Sequence, residues 1–131
     1  MHNRNICKFP PNAFQDRLSI HCFVRETDGN IISEKRQLKH HRAVLVEKGS
    51  GHFLMNDVLL PFAVGTLLFA FKEEAFSAVT AEECEYLYID FEGSLADELF
   101  RRFDIGRHQR VFSGFDGLIP LWHESLSRAS S

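Results

Sequence analysis

Up to about residue 93, apolar side chains recur along the chain in short runs with a period of two, separated by turn residues; beyond it the spacing becomes helical. The clearest run is 85–92. A strand there places Leu87, Ile89 and Phe91 on one face and Tyr86, Tyr88 and Asp90 on the other. The first face is wholly apolar, while the second, with two phenols and a carboxylate, meets solvent or lines a polar cavity. Earlier runs read the same way. Residues 18–24 form a first strand, followed by a turn at Thr27-Asp28-Gly29-Asn30 and a basic stretch at 35–42. Ala43-Val44-Leu45-Val46 suits a central strand ending at Gly49-Ser50-Gly51, and residues 52–55 and 58–60 flank Asn56-Asp57 as a two-residue hairpin that Pro61 ends. Residues 66–71, with Leu67, Phe69 and Phe71 on one face, lead through the charged bend Lys72-Glu73-Glu74 to a strand at 76–80. Residues 1–14 read as an irregular arm, because Pro10-Pro11 forbids a helix.

Gly93 breaks the strand pattern. Ser94 followed by Asp97 is a capping-box-like start, and Arg101 and Arg102 suit the negative end of a helix dipole, so a helix is predicted over 94–103. Leu95, Leu99 and Phe103 make its apolar stripe, widened by Ala96 and Phe100. A second helix is predicted within 116–128, with Leu118, Leu121, Trp122 and Leu126 on its apolar side and Pro120 confined to its first turn. Short strands followed by two amphipathic helices predict a sandwich or small barrel with helices packed outside it.

Composition narrows the functional classes. The 131 residues suffice for one domain, 44% hydrophobic and 25% charged, and 13 phenylalanines point to a core filled by large rings. A net charge of -3 lacks the positive footprint of phosphate binding, so this chain alone is not expected to bind DNA. No apolar run is long enough to span a bilayer and no signal core follows the N-terminus, which predicts a cytoplasmic location without membrane contact. Cys7, Cys22 and Cys84 match neither a disulfide framework nor a metal motif, and are expected to be inert thiols.

Catalytic signatures are absent as well. No Gly-x-Ser-x-Gly elbow occurs, and Gly49-Ser50-Gly51 is too short for a phosphate loop and leads into a strand. His40-His41 is the only histidine cluster in the sequence, and neighbours on a strand point to opposite faces. Neither a metal nor a cofactor is expected, and the chain reads as non-enzymatic.

Three ordered motifs between Ala43 and Phe103 carry a family resemblance. Val46-Glu47-Lys48-Gly49-Ser50-Gly51-His52-Phe53, then Gly65-Thr66-Leu67-Leu68-Phe69, then Tyr86-Leu87-Tyr88-Ile89-Asp90-Phe91-Glu92-Gly93 resemble the cupin-like effector-binding domain of AraC-type transcription regulators. Departures fall at Thr66, where the family has an acidic residue, at Phe71-Lys72 in place of Pro-Pro, and at Phe76 in place of a histidine. Metal-dependent cupins resemble one another in a His-x-His followed by Glu and a later His; here Gln37, Lys39 and Arg42 stand in that region.

The resemblance implies a fold that is mainly β with C-terminal helices, a cupin-like double-stranded β-helix or jelly-roll barrel followed by two α-helices. Residues 1–93 would form the effector-binding barrel with its arm. Residues 94–131 would form the helical dimerisation segment and the start of a linker to a helix-turn-helix DNA-binding domain beyond Ser131. A small-molecule effector, such as a sugar, is expected at Tyr86 and Tyr88, whose rings can stack on it while their hydroxyls fix its orientation. His21, Phe23 and Arg25 alternate on the first strand toward the same cavity, Arg25 offering a clamp for a carboxylate or phosphate, and Arg36 and His41 mark a basic barrel mouth that selects an anionic effector. A homodimer is expected through Leu95, Leu99, Phe100 and Phe103 with Leu121, Trp122 and Leu126. Two other classes stay open: a cupin enzyme such as an isomerase, and a stand-alone ligand-binding β-domain.

Overall fold

The structure is a computed structural model that describes residues 5–8, 17–79 and 83–130. Its strands are β1 (Asn5–Lys8), β2 (Ser19–Glu26), β3 (Arg36–Gln37), β4 (His41–Lys48), β5 (Gly51–Met55), β6 (Val58–Phe62), β7 (Leu67–Ala70), β8 (Ala75–Val79), β9 (Glu85–Glu92) and β10 (Val111–Phe112). Its helices are α1 (Gly29–Ile32), α2 (Ser94–Arg102) and α3 (Leu118–Ser130). One sheet runs β1-β2-β9-β4-β7-β10 and the other β3-β8-β5-β6, with antiparallel neighbours throughout. Counting β2 to β9 as eight strands, the sheets interleave first-eighth-third-sixth against second-seventh-fourth-fifth. That is the jelly-roll order of the double-stranded β-helix, so the cupin-like barrel with C-terminal helices is the observed fold.

The period of two sorts side chains into two cores. Val24, Val44, Val46 and Leu68 of the larger sheet meet Phe53, Met55, Phe62 and Phe76 of the smaller one inside the barrel, together with Tyr86 and Tyr88. On the outer face of the larger sheet, Phe23 and Leu87, flanked by Ile89, pack against Leu126 and Trp122 of α3. The apolar face of β9 therefore lies under helix, and its phenols point into the barrel. At each edge of the larger sheet a short strand is added, β1 along β2 and β10 along β7. Part of the predicted irregular arm is thus strand, since the open edge of β2 offers backbone partners that sequence periodicity does not reveal.

Local chemistry accounts for the turns. Asn56 and Asp57 both take positive φ, 45° and 67°, which gives the β5–β6 hairpin the twist of a type I′ turn. At 27–30, where a turn was expected, Asp28 caps a single helical turn by accepting from the Asn30 amide at 2.9 Å, and that turn buries Ile32.

Helix α2 starts where predicted but is capped one residue earlier. Gly93, at φ 130°, is the N-cap; Ser94 is the first helical residue and makes no capping bond. The first turn is satisfied instead by backbone, the Leu95 amide donating to the Arg17 carbonyl at 2.6 Å. Phe100 then inserts between His41, Phe69, Phe71 and Phe91 at centroid separations of 5.2 to 5.8 Å. Among the described residues no helix is long and apolar enough to cross a membrane.

Candidate functional site

The barrel interior is apolar at one side and charged at the other. Phe53 stacks on Phe62 and Phe76 at 4.3 and 5.3 Å and meets Tyr86 edge-on, which fills the space beside β5, β6 and β8. Next to this aromatic block, Arg42 reaches in from β4. Its Nε and Nη2 donate to the two oxygens of Asp90 at 2.7 and 3.0 Å, and its guanidinium carbon lies 3.7 Å from the Tyr88 ring centroid. Burial opposes the charge on Arg42, but the Asp90 bonds outweigh it and push its pKa upward, so the guanidinium stays charged. Burial raises the Tyr86 phenol pKa despite the nearby Arg42 charge, so both groups are held in their ordinary protonation states. Fully buried Glu26 joins them around a cavity of about 40 Å³, lined also by Ile32, Arg36 and Phe76.

Further along the same strands a second polar group forms. In β2, Ile20 faces Phe91 while Cys22 faces Asp90, so His21 is the extra residue of a β-bulge beside the end of β9. The bulge lays the His21 ring parallel to that of His40, at 3.6 Å and 6°. Glu92, at the end of β9, meets a nitrogen of each ring: His40 Nδ1 is 2.5 Å from its Oε2, and His21 Nε2 is 3.6 Å from the same oxygen. The His40 hydrogen bond outweighs burial and, with the charges of His40, His21 and Lys72, holds Glu92 below the usual carboxylate pKa. His21 Nε2 itself is buried and makes no hydrogen bond. Among the described residues these three are the group of histidines, cysteines and carboxylates whose donor atoms come close enough for a metal ion.

The sequence-predicted ligand residues divide between opposite faces. Tyr86, Tyr88 and Arg36 line the interior cavity, Arg36 at its exposed lip beside Glu34. Phe23 and Arg25 do not join them: Phe23 meets Trp122 edge-on under α3, and Arg25 binds Glu47, which is also paired with His123 of α3. The bulge explains the error, since it is Cys22, Val24 and Glu26 that turn inward beyond it. His21 lies at the bulge, away from the cavity. His41 is likewise outside the barrel mouth, accepting from the Lys72 amide and packed under Phe100 of α2. Glu26, Arg42, Asp90, His40 and Glu92 were missed as site residues. Their signal was available in part, because Asp90 and Glu92 continue the inward parity of Tyr86 and Tyr88.

The helical residues divide in a similar way. Leu126 is fully buried, Trp122 half-buried against Phe23, and Phe100 half-buried in the aromatic group, so all three cover their own barrel. Leu95 is half-buried, while Leu99, Phe103 and Leu121 remain exposed. Phe103 borders an open apolar groove of about 270 Å³ with Leu67, Phe69, Ile105, Phe112 and Phe115. A larger depression, about 500 Å³, lies beside α1, where Lys48 is paired with Glu83 and Glu85. Burial and Asp90 push the Cys22 thiol up to about 11, and burial with Glu85 pushes Cys84 up to about 12, which keeps both protonated; the Cys7 side chain lies outside the described residues.

No family profile and no curated protein sequence matches this chain. Solved structures similar to it include the plu4264 protein of Photorhabdus luminescens, at TM-score 0.47 and 13% identity over 77% of this chain and 82% of that one. The EutQ protein of Clostridium difficile gives 0.44 and 13%, over 63% and 57% of the two chains. A cupin 2 conserved barrel domain protein of Rhodopseudomonas palustris gives 0.40 and 14%, over 82% and 90%. The assignment of the fold rests on the strand order described above.

Proposed function

We propose that this chain is a small-ligand-binding cupin-like domain, and specifically the effector-sensing and dimerisation unit of an AraC-type regulator whose DNA contacts belong to a helix-turn-helix domain outside these residues. The observation that carries the reading is the charged cluster inside the barrel. Arg42, Asp90 and Glu26 are held among aromatic rings, where apolar residues of similar size would give a core at least as stable. A charge pair kept at that cost suits recognition of a polar ligand, and Tyr86 and Tyr88 supply ring faces beside it.

The cavity of about 40 Å³ holds little more than one water, so an effector the size of a sugar enters only with displacement of Ile32 and the Arg36 side chain. Such a movement would be read out along β9. The strand that carries Tyr86, Tyr88 and Asp90 runs through Gly93 straight into α2, where exposed Leu99 and Phe103 offer a second copy an apolar contact. A non-enzymatic role fits the same cavity: the region where metal-dependent cupins keep their ligands holds the Arg42 guanidinium and the Phe76 ring.

A thermal-shift screen of sugars and small organic acids tests the proposal, because a ligand of the folded state raises the midpoint by mass action. Tyr86→Phe, Tyr88→Phe and Arg36→Gln, which preserve most of the packing, should each weaken a confirmed hit about tenfold, or by about 1.4 kcal/mol. A hit whose affinity none of the three alters would place the ligand elsewhere and overturn the assignment.

A further inference from the structure

We propose that His21, His40 and Glu92 form a binding site for a divalent transition metal of the zinc class, built at the rim of the larger sheet. The site is distinct from the one that metal-dependent cupins resemble one another in, which in this chain falls on Gln37, Lys39, Arg42 and Phe76. Three independent elements bring its donors together: the bulge in β2 turns His21 toward the end of β9, Glu92 is the last residue of β9, and His40 immediately precedes β4. Since β9 pairs with both β2 and β4, Glu92 lies between the two histidines by sheet register rather than by chance meeting of long side chains.

The donor separations approach those around one ion, and the two imidazoles, stacked at 3.6 Å and 6°, must turn out of their parallel planes for both nitrogens to aim at it. Donors bound to a single zinc-class ion at about 2.0 to 2.2 Å stand roughly 3 to 3.5 Å apart. Here His40 Nδ1 and His21 Nε2 are 2.5 and 3.6 Å from Glu92 Oε2, and all three donors lie within 4.8 Å of one another. His21 Nε2, buried and without a hydrogen bond, is the atom an ion would satisfy. Two imidazoles and one carboxylate favour zinc, nickel, cobalt or copper over magnesium or calcium, which prefer oxygen ligands. Three protein donors also leave at least one position for water or a small anion. The histidine readings from sequence alone missed this site because they weighed only adjacent residues, whereas His21 and His40 meet across the sheet.

Titration of zinc into tag-free, chelator-treated protein, followed by calorimetry, tests the site. One ion per chain is expected, with affinity at least tenfold weaker in His21→Gln and in His40→Gln and unchanged in His108→Gln, a histidine paired only with the exposed Asp104. A second measurement needs no variant: substoichiometric cobalt should broaden the NMR signals of His21, His40 and Glu92 before those of His52, His108 and His123. Absence of saturable zinc binding, equal affinity in both histidine variants and wild type, or broadening centred on another histidine would each overturn the proposal.

Discussion

Arg110 and Glu74 meet in parallel inside the protein, Nη1 to Oε1 at 2.7 Å and Nη2 to Oε2 at 2.8 Å, and tie the loop after α2 to the turn before β8. Both are buried, and Glu74 also accepts from the Phe71 amide at 2.6 Å. Burial alone would raise the Glu74 pKa, but the Arg110 bonds, the Phe71 amide and the charges of Arg110 and Arg107 outweigh it and hold the carboxyl below its usual value. Removing Arg110 leaves the buried carboxylate only the Phe71 amide and the more distant, exposed Arg107. Arg110→Ala should therefore cost about 3 to 5 kcal/mol, whereas the double change Arg110→Met with Glu74→Leu should recover most of that loss, as read from urea midpoints.

The same pair sets an acid limit on stability. A carboxyl depressed in the folded state contributes fully above its unfolded value, and that contribution is lost as pH falls through the lower folded value. Between neutrality and about pH 5 the Glu74 contribution should be constant, and below the unfolded value it should decline. In Glu74→Gln this part of the decline should vanish. Equal acid slopes in wild type and variant would show that other carboxylates govern the transition.

Inside the barrel, the ion pair should matter more than the Tyr88 hydroxyl beside it. Asp90→Ala strands the largely covered Arg42 charge and should destabilise by about 3 kcal/mol. Tyr88→Phe keeps a ring 3.7 Å from the guanidinium and should cost about 1 kcal/mol or less. Chemical denaturation of the two variants ranks them directly, and the reverse order would mean that the Tyr88 hydroxyl, the one group Tyr88→Phe removes, holds the site more strongly than the ion pair.

Gly93 is the joint between barrel and helix. At φ 130°, a Cβ there would stand 2.3 Å from the Arg17 carbonyl oxygen, the acceptor of the Leu95 amide. Gly93→Ala cannot be relieved by a side-chain rotation and should cost about 1 to 3 kcal/mol. Hydrogen exchange at Leu95 should accelerate at least tenfold, with the β5–β6 hairpin unaffected. Unchanged protection at Leu95 would mean that the Arg17 carbonyl is not what holds the first turn.

Periodicity alone located most of the barrel because burial in a sheet is periodic. Ala43-Val44-Leu45-Val46, the Asn56-Asp57 hairpin and the alternating β9 each carry their own signal. The site was harder to read, since a single bulge at His21 reverses the parity of everything after it in β2. Phe23 and Arg25 consequently fall outside the barrel, and Glu26 falls inside. Long-range pairing is also silent in local sequence: nothing near His40 announces Glu92, and nothing near Glu74 announces Arg110. The Gly93 cap was misread for a related reason, as its partner is the Arg17 carbonyl, which no side-chain motif encodes.

Leu126 and Phe103 separate what the helices do for their own barrel from what they offer another chain. Leu126 is 1% exposed against Phe23 and Leu87, so Leu126→Ala opens a cavity in the outer core and should cost about 2 to 5 kcal/mol. Phe103 is 64% exposed beside Leu99 and the groove of Leu67, Ile105 and Phe115, so Phe103→Ser removes little buried area and should leave the unfolding midpoint nearly unchanged. Its effect should fall on association. If two copies meet through α2, sedimentation should show a wild-type dimer that Phe103→Ser shifts toward monomer, while Leu126→Ala lowers stability without selectively weakening the dimer. A wild-type chain that stays monomeric at the highest soluble concentration, or a Phe103→Ser variant that dimerises as tightly as wild type, would remove α2 as the contact.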